Sequence, residues 1–113
     1  MRYQDLFING NKVFVNVYIA DTFWARMIGW MGKREPGKDG LLIMPCNSVH
    51  TFFMKFPIDV LFLNFKNQVI AKHEAVAPNK ILWPIKDAKA VLELPIGTIA
   101  RLSIKGGDFV TLT

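Results

Sequence analysis

The stretch Leu6-Phe7-Ile8-Asn9-Gly10-Asn11-Lys12-Val13-Phe14-Val15-Asn16-Val17-Tyr18-Ile19 decides the class of fold. Two apolar runs flank Asn9-Gly10, and both turn residues tolerate positive φ, which makes this the strongest short signal for a β-hairpin. In the second run Val13, Val15, Val17 and Ile19 share one face by the period of two. Phe14, Asn16 and Tyr18 share the other, so that face is expected to be only partly buried.

Working outward, short apolar runs bounded by Pro, Gly and Asn continue the β reading. Residues 40–44 form a buried strand stopped by Pro45, and residues 50–56 form another, broken by Pro57. Residues 58–65 make a near-continuous apolar strand that turns at Lys66-Asn67 and returns over residues 68–77. Residues 78–84 are irregular, with Trp83 folding back onto the core. Residues 88–94 add a strand, and Gly106-Gly107-Asp108 turns into a last one over residues 109–112. One helix is expected over residues 22–31, with Asp21-Thr22 at its start. Its Phe23, Trp24, Met27, Ile28, Trp30 and Met31 fall on one arc, and Arg26 lies at the edge of its polar strip. Pro95-Ile96-Gly97-Thr98 opens a second, short helix through Leu102. Helices do not alternate with strands, which argues against a doubly wound parallel sheet. The expectation is a mainly β (α+β) single domain over residues 1–113, a compact antiparallel sandwich or partly open barrel with one packed helix.

The composition agrees. Of 113 residues 51% are hydrophobic, and nine Phe, three Trp and two Tyr supply bulky core material, which excludes a disordered chain. No apolar run approaches the roughly 18 residues of a membrane span. Met1-Arg2-Tyr3-Gln4-Asp5 opens no apolar leader segment, so a cytoplasmic location is expected. The single cysteine, Cys46, excludes an internal disulfide framework and any multi-cysteine metal site. The formal charge is +5, from 14 Lys+Arg against 9 Asp+Glu. Most of the basic residues are scattered singly, which favours an ordinary solvated surface and argues against nucleic acid as the partner. No Gly-rich phosphate loop, nucleophile elbow or His-Glu-x-x-His motif is present.

Several blocks carry a resemblance over nearly the whole chain: Ala20…Arg26-Met27-x-Gly29-x-Met31-Gly32, Gly40-Leu41-Leu42-Ile43, the run from Cys46-x-Ser48-x-His50 through Pro57-Ile58-Asp59-Val60-x-Phe62-Leu63, Val91-Leu92-Glu93-Leu94-Pro95-x-Gly97-Thr98, and Gly107-Asp108. In order and spacing they resemble the prokaryotic family catalogued as domain of unknown function number 192. The resemblance implies a compact β-rich barrel or sandwich with a few short helices. It implies no activity and no cofactor. Trp30 stands where the family usually has Leu, and Gly106 where Pro often precedes the Gly-Asp turn.

The segment from Cys46 to Asn64 holds the densest set of reactive side chains. As a strand, residues 50–56 would place His50, Phe52, Met54 and Phe56 on one face. Asp59, just past Pro57, needs a partner if buried. It serves either as a cap for backbone amides in the turn over residues 56–58 or as the group that orients His50 as a general base. Cys46 and His50 are a candidate nucleophilic pair, weighed against an inert buried thiol. Met44, Cys46, His50 and Met54 make a soft-ligand set suited to Cu(I), although methionines more often fill core gaps, and no metal or other cofactor is expected. Glu93 is read as solvent-facing or at an edge; the alternative turns it into the pocket of His50, paired with Arg26 or Arg101. Asp108 is read as a turn residue.

Two classes of function follow. The first is a non-enzymatic ligand-binding or accessory module for a small molecule or protein. Its site lies near His50/Asp59 and draws on Arg26, His50, Phe52, Met54, Asp59, Trp83 and Glu93. The second is a small hydrolase or transferase using His50 with Asp59, and Cys46 as a further candidate. Weak single-stranded nucleic-acid binding, by aromatics beside lysines, stands third.

Overall fold

The computed structural model describes residues 3–20, 39–52 and 54–113, with residue 14 described by its backbone alone. The helix expected over residues 22–31, and Arg26 with it, lies outside the described residues.

The opening hairpin forms as its residues dictate. β1 (Tyr3–Ile8) and β2 (Asn11–Ala20) pair antiparallel. Asn9 and Gly10 between them take φ of 50° and 82°, the left-handed pair that matches a two-residue turn to the twist of its strands. Among the described residues there follow β3 (Gly40–Ile43), β4 (Val49–His50), β5 (Ile58–Leu63), β6 (Val69–Val76), β7 (Ile81–Leu82), β8 (Ala90–Pro95), the short helix α1 (Thr98–Leu102) and β9 (Val110–Leu112).

Seven strands form one sheet in the order β6-β5-β8-β3-β2-β1-β9, and β4 with β7 forms a separate ribbon. All neighbours in the main sheet are antiparallel except β2 and β3. The protein is thus mainly β, a seven-stranded sheet curled into a half-barrel. The two outer strands meet at one end of the curl. Gln68 bridges Phe109, the Val69 N–H donates to the Asp108 carbonyl at 2.8 Å, and the Val110 N–H donates to the Asn67 carbonyl at 2.8 Å.

The alternation of side chains sorts the apolar residues into two clusters. Every main-sheet strand contributes to the first, including Leu6, Val17, Leu61, Leu92 and Val110, and Ile99 and Ile104 join it from α1 and the turn after it. This is the interior of the curl. The second covers the opposite face of the central strands, with Leu41, Val60, Phe62 and Val91 packed beneath Met54, Phe56 and the inward-facing Val49 and Leu82 of the ribbon. Each such side chain taken fully out of water contributes about 1.5–3 kcal/mol. Gly40 sits where β2, β3 and β8 draw together, and a Cβ there would lie a tight 3.2 Å from the Glu93 carbonyl oxygen, a Leu94 methyl and a Val17 methyl.

Three expectations are corrected. The strand over residues 50–56 stops at His50, because Thr51 leaves the ladder. Its hydroxyl donates to the Ala77 carbonyl at 2.7 Å and accepts from the Lys80 N–H at 2.9 Å, and its carbonyl receives the Met54 and Asn79 N–H groups. Trp83 does not fold onto the core; it is 72% exposed, and β7 runs through the stretch expected to be irregular. The strand over residues 58–65 ends at Leu63, since the Asn64 side chain accepts from the Lys66 and Gln68 N–H groups and starts the turn early.

Candidate functional site

Along β5, Ile58, Val60 and Phe62 belong to the outer cluster and Leu61 and Leu63 to the interior. Asp59 therefore points into the curl, where it is fully buried. Its Oδ1 accepts from the Ala75 N–H and its Oδ2 from the Ile99 N–H, both at 2.9 Å. Ala75 sits at a kink of β6 with φ of 52°. Ile99 lies in the first turn of α1, whose start at Gly97 offers no side-chain cap. One carboxylate thus replaces the missing cap and pins the kinked edge strand. Asp59 does bind backbone amides, though not those of residues 56–58.

Glu93 lies on the opposite face. Val91, two residues earlier, is in the outer cluster while Leu92 and Leu94 are in the interior, so Glu93 points outward between Leu41 on β3 and Val60 on β5. It is only 4% exposed, which corrects its reading as an edge or solvent-facing residue: β8 is central, and both of its faces are covered. No hydrogen bond or ion pair reaches its carboxyl from the described residues, Arg101 included. Burial alone pushes its pKa up to about 8, because the charged form loses its hydration without compensation. No side-chain oxygen or nitrogen among the described residues is both sealed from solvent and unpaired. The slight exposure Glu93 retains therefore includes its carboxyl.

His50 is on the same side as Glu93, on the ribbon that roofs the outer cluster. Val49 and Leu82 face inward from a paired position, and His50 and Ile81, paired next to them, face out. The imidazole stacks on Phe52 with centroids 5.0 Å apart, and its Nδ1 accepts from the Phe52 N–H at 3.3 Å. The neutral ring accordingly carries its proton on Nε2. His50 and Asp59 are not brought together, since the sheet lies between them. Met54 is buried beneath the ribbon while Met44 is exposed, which splits the soft-ligand set between core and surface. The Cys46 thiol donates to the Ser48 carbonyl at 2.8 Å. Beside it Pro45, Cys46, Asn47, Ala88 and Lys89 line a shallow, open cavity of about 290 Å³. Among the described residues no group of three or more His, Cys, Asp or Glu is placed to hold a metal ion.

Two polar residues have more structural weight than their sequence context suggests. Thr51 is the junction described above, and nothing around it in sequence marks it. Asp108 does more than form a turn. Its Oδ2 accepts from the Lys105 N–H at 2.9 Å and its Oδ1 from the Asn9 amide at 3.0 Å, while the Asn9 side-chain oxygen receives the Phe109 N–H at 2.8 Å. These bonds, with Lys105 Nζ 3.2 Å away, hold the Asp108 carboxyl below the usual carboxylate range.

A curled β half-barrel with a nearly buried carboxyl, Glu93, that has no partner among the described residues and lies under a two-stranded roof is the type of protein that these features define. The chain belongs to the family DUF192, described as "Uncharacterized ACR", whose sequence model matches residues 6–112. It is 34% identical over 104 residues to a UPF0127 protein of Pyrococcus furiosus, covering 88% of each chain. It is 37% identical over 99 residues to one from Pyrococcus abyssi, covering 83% of each. Two crystal structures share the fold, each at a TM-score of 0.84. A protein of unknown function from Novosphingobium aromaticivorans is 24% identical, over 96% of this chain and 84% of that one. A putative transcription regulator from Sinorhizobium meliloti is 23% identical, over 98% and 94%. No helix among the described residues is long and apolar enough to cross a membrane.

Proposed function

We propose that the protein is a non-enzymatic binding module whose small ligand is received on the outer face of the sheet, beside the β4–β7 ribbon, with Glu93 as its polar anchor. The observation that carries this reading is the Glu93 carboxyl, nearly buried in the middle of an apolar face with no partner among the described residues. A group in that state costs stability and is retained where a bound molecule completes it. With a pKa near 8 it is mostly protonated at neutral pH, so it both donates and accepts a hydrogen bond. That suits a neutral polar group, such as an amide or carboxylic acid, on an otherwise apolar body. Leu41, Val60 and Met54 supply apolar walls, and His50, Phe52 and Trp83 are the exposed rim residues of this reading. Asp59 contributes from the other side of the sheet by fixing α1 and β6 rather than by touching ligand.

The test is a thermal-shift screen of small amides, carboxylic acids and heterocycles against the wild-type protein and Glu93→Leu. Compounds that stabilise the wild type but not Glu93→Leu, and that His50→Ala weakens, support the reading. Compounds that stabilise both proteins equally would remove Glu93 from the site and the proposal with it.

A further inference from the structure

The described lysines are scattered in sequence, but those without a partner among the described residues are not scattered in the fold. Lys12 pairs with Asp5, Lys66 lies 5.7 Å over the Phe65 ring, Lys72 donates to the Ile104 carbonyl and Lys105 pairs with Asp108. Lys55, Lys80, Lys86 and Lys89 are the other described lysines. All four are exposed, and none has a partner for its ammonium group among the described residues. They share one location, the two segments 44–57 and 78–89 that contain the ribbon and its flanking loops. Against these four lysines the two segments carry a single acid, Asp87.

The same layer carries exposed rings. On the ribbon Val49 and Leu82 face in and His50 and Ile81 face out. Trp83, one residue beyond β7, is 72% exposed, and Phe52, stacked on His50, is 36% exposed. A strip of Phe52, His50, Ile81 and Trp83 therefore lies in two segments whose described lysines outnumber their acids four to one. An apolar partner would need no lysines, and a purely anionic one would need no rings. We propose that the outer face of the β4–β7 ribbon binds single-stranded nucleic acid, with bases stacked on Trp83 and on the Phe52–His50 pair and phosphates met by Lys55, Lys80, Lys86 and Lys89. Stacking is sequence-tolerant because every base offers a π-face, and the lysines track the backbone charge. This surface shares His50, Phe52 and Trp83 with the rim of the small-ligand reading. It does not use Glu93, which lies on the sheet beneath the ribbon, so Glu93→Leu tells the two apart.

Fluorescence anisotropy with a labelled oligothymidine tests it at low salt. Four phosphate contacts give a salt slope near −3, so raising salt from 50 to 200 mM is expected to weaken binding by about fifty-fold. Trp83→Ala should weaken binding by about five- to a hundred-fold at fixed salt. Because Trp83 is largely exposed, this change should leave the melting temperature within a few degrees of wild type. Lys80→Gln with Lys86→Gln should flatten the salt slope, and Glu93→Leu should leave binding unchanged. Heparin of matched charge is the control. If heparin binds as tightly as the oligonucleotide and Trp83→Ala has no effect, the face is a general polyanion surface and the proposal fails. Absence of binding at 50 mM salt overturns it equally.

Discussion

Asp59 and Glu93 stand on adjacent antiparallel strands, Asp59 opposite Leu94 and Val60 opposite Glu93, and so their carboxyls point to opposite faces of the same sheet. Each Asp59 oxygen accepts one backbone N–H; Glu93 has no partner among the described residues. Two acids one register step apart thus have opposite roles, one holding the fold together and one straining it.

Glu93 should make stability fall as pH rises. Its folded pKa of about 8 lies above the ordinary 4.5, so the folded protein holds a proton there that the unfolded chain has released. Its contribution is complete below about pH 4.5 and disappears as pH rises through 8, a loss of order a few kcal/mol. Urea melts at pH 5.5 and 8.5 should show the decline in the wild type and a flatter profile in Glu93→Leu. At pH 8.5 Glu93→Leu is expected to be the more stable protein, by on the order of 2 kcal/mol.

Asp59→Ala strands the Ala75 and Ile99 amides and should cost about 3–5 kcal/mol, since bonds to a charged acceptor are worth about 1.5–3 kcal/mol each. Asp59→Asn keeps one carbonyl acceptor and should cost roughly half as much. Hydrogen exchange gives the local readout: amides of α1 should lose protection first. Equal stability of Asp59→Ala and wild type would contradict the double-cap geometry.

Thr51→Val keeps the shape and removes the hydroxyl shared by Ala77 and Lys80. The cost should be about 1–3 kcal/mol. Because Thr51 ties the loop after β4 to the segment before β7, the His50 and Phe52 resonances should shift in NMR spectra while those of β1 and β9 stay in place.

Asp108 predicts the opposite pH behaviour to Glu93. Its lowered pKa means that it stabilises the fold above the ordinary carboxylate range and ceases to do so as pH falls through the folded value. Acid titration monitored by tryptophan fluorescence should show Asp108→Ala unfolding at higher pH than wild type. At pH 7 the loss of the Lys105 and Asn9 bonds should cost about 1–3 kcal/mol.

How much of this is readable from sequence depends on how local the cause is. The Asn9-Gly10 hairpin was legible because two residues set the turn, and α1 because Pro95 and Gly97 place its start. The end of β4 was not, since Thr51 leaves the strand for partners 26 and 29 residues away. Trp83 misled because a large apolar ring gives no sign of which side of a two-residue strand it takes. Alternation showed that Glu93 opposes Leu92 and Leu94, but it could not reveal that β8 lies in mid-sheet with both faces covered. For Asp59 the need for amide partners was legible and their identity was not, because Ala75 and Ile99 come from elements 16 and 40 residues on.

The pairing of β1 with β9 has a consequence for how the molecule comes to exist. Leu6 meets Leu112 and Ile8 meets Val110, and the Asn9 amide clasps Asp108 across 99 residues. On a ribosome, the first hairpin is made early but acquires its far neighbour only after almost all the described chain has been synthesised. Closing so large a loop is entropically slow. The nascent protein therefore carries an open β1 edge through most of its synthesis, and the β1–β9 side of the curl closes only once β9 is made.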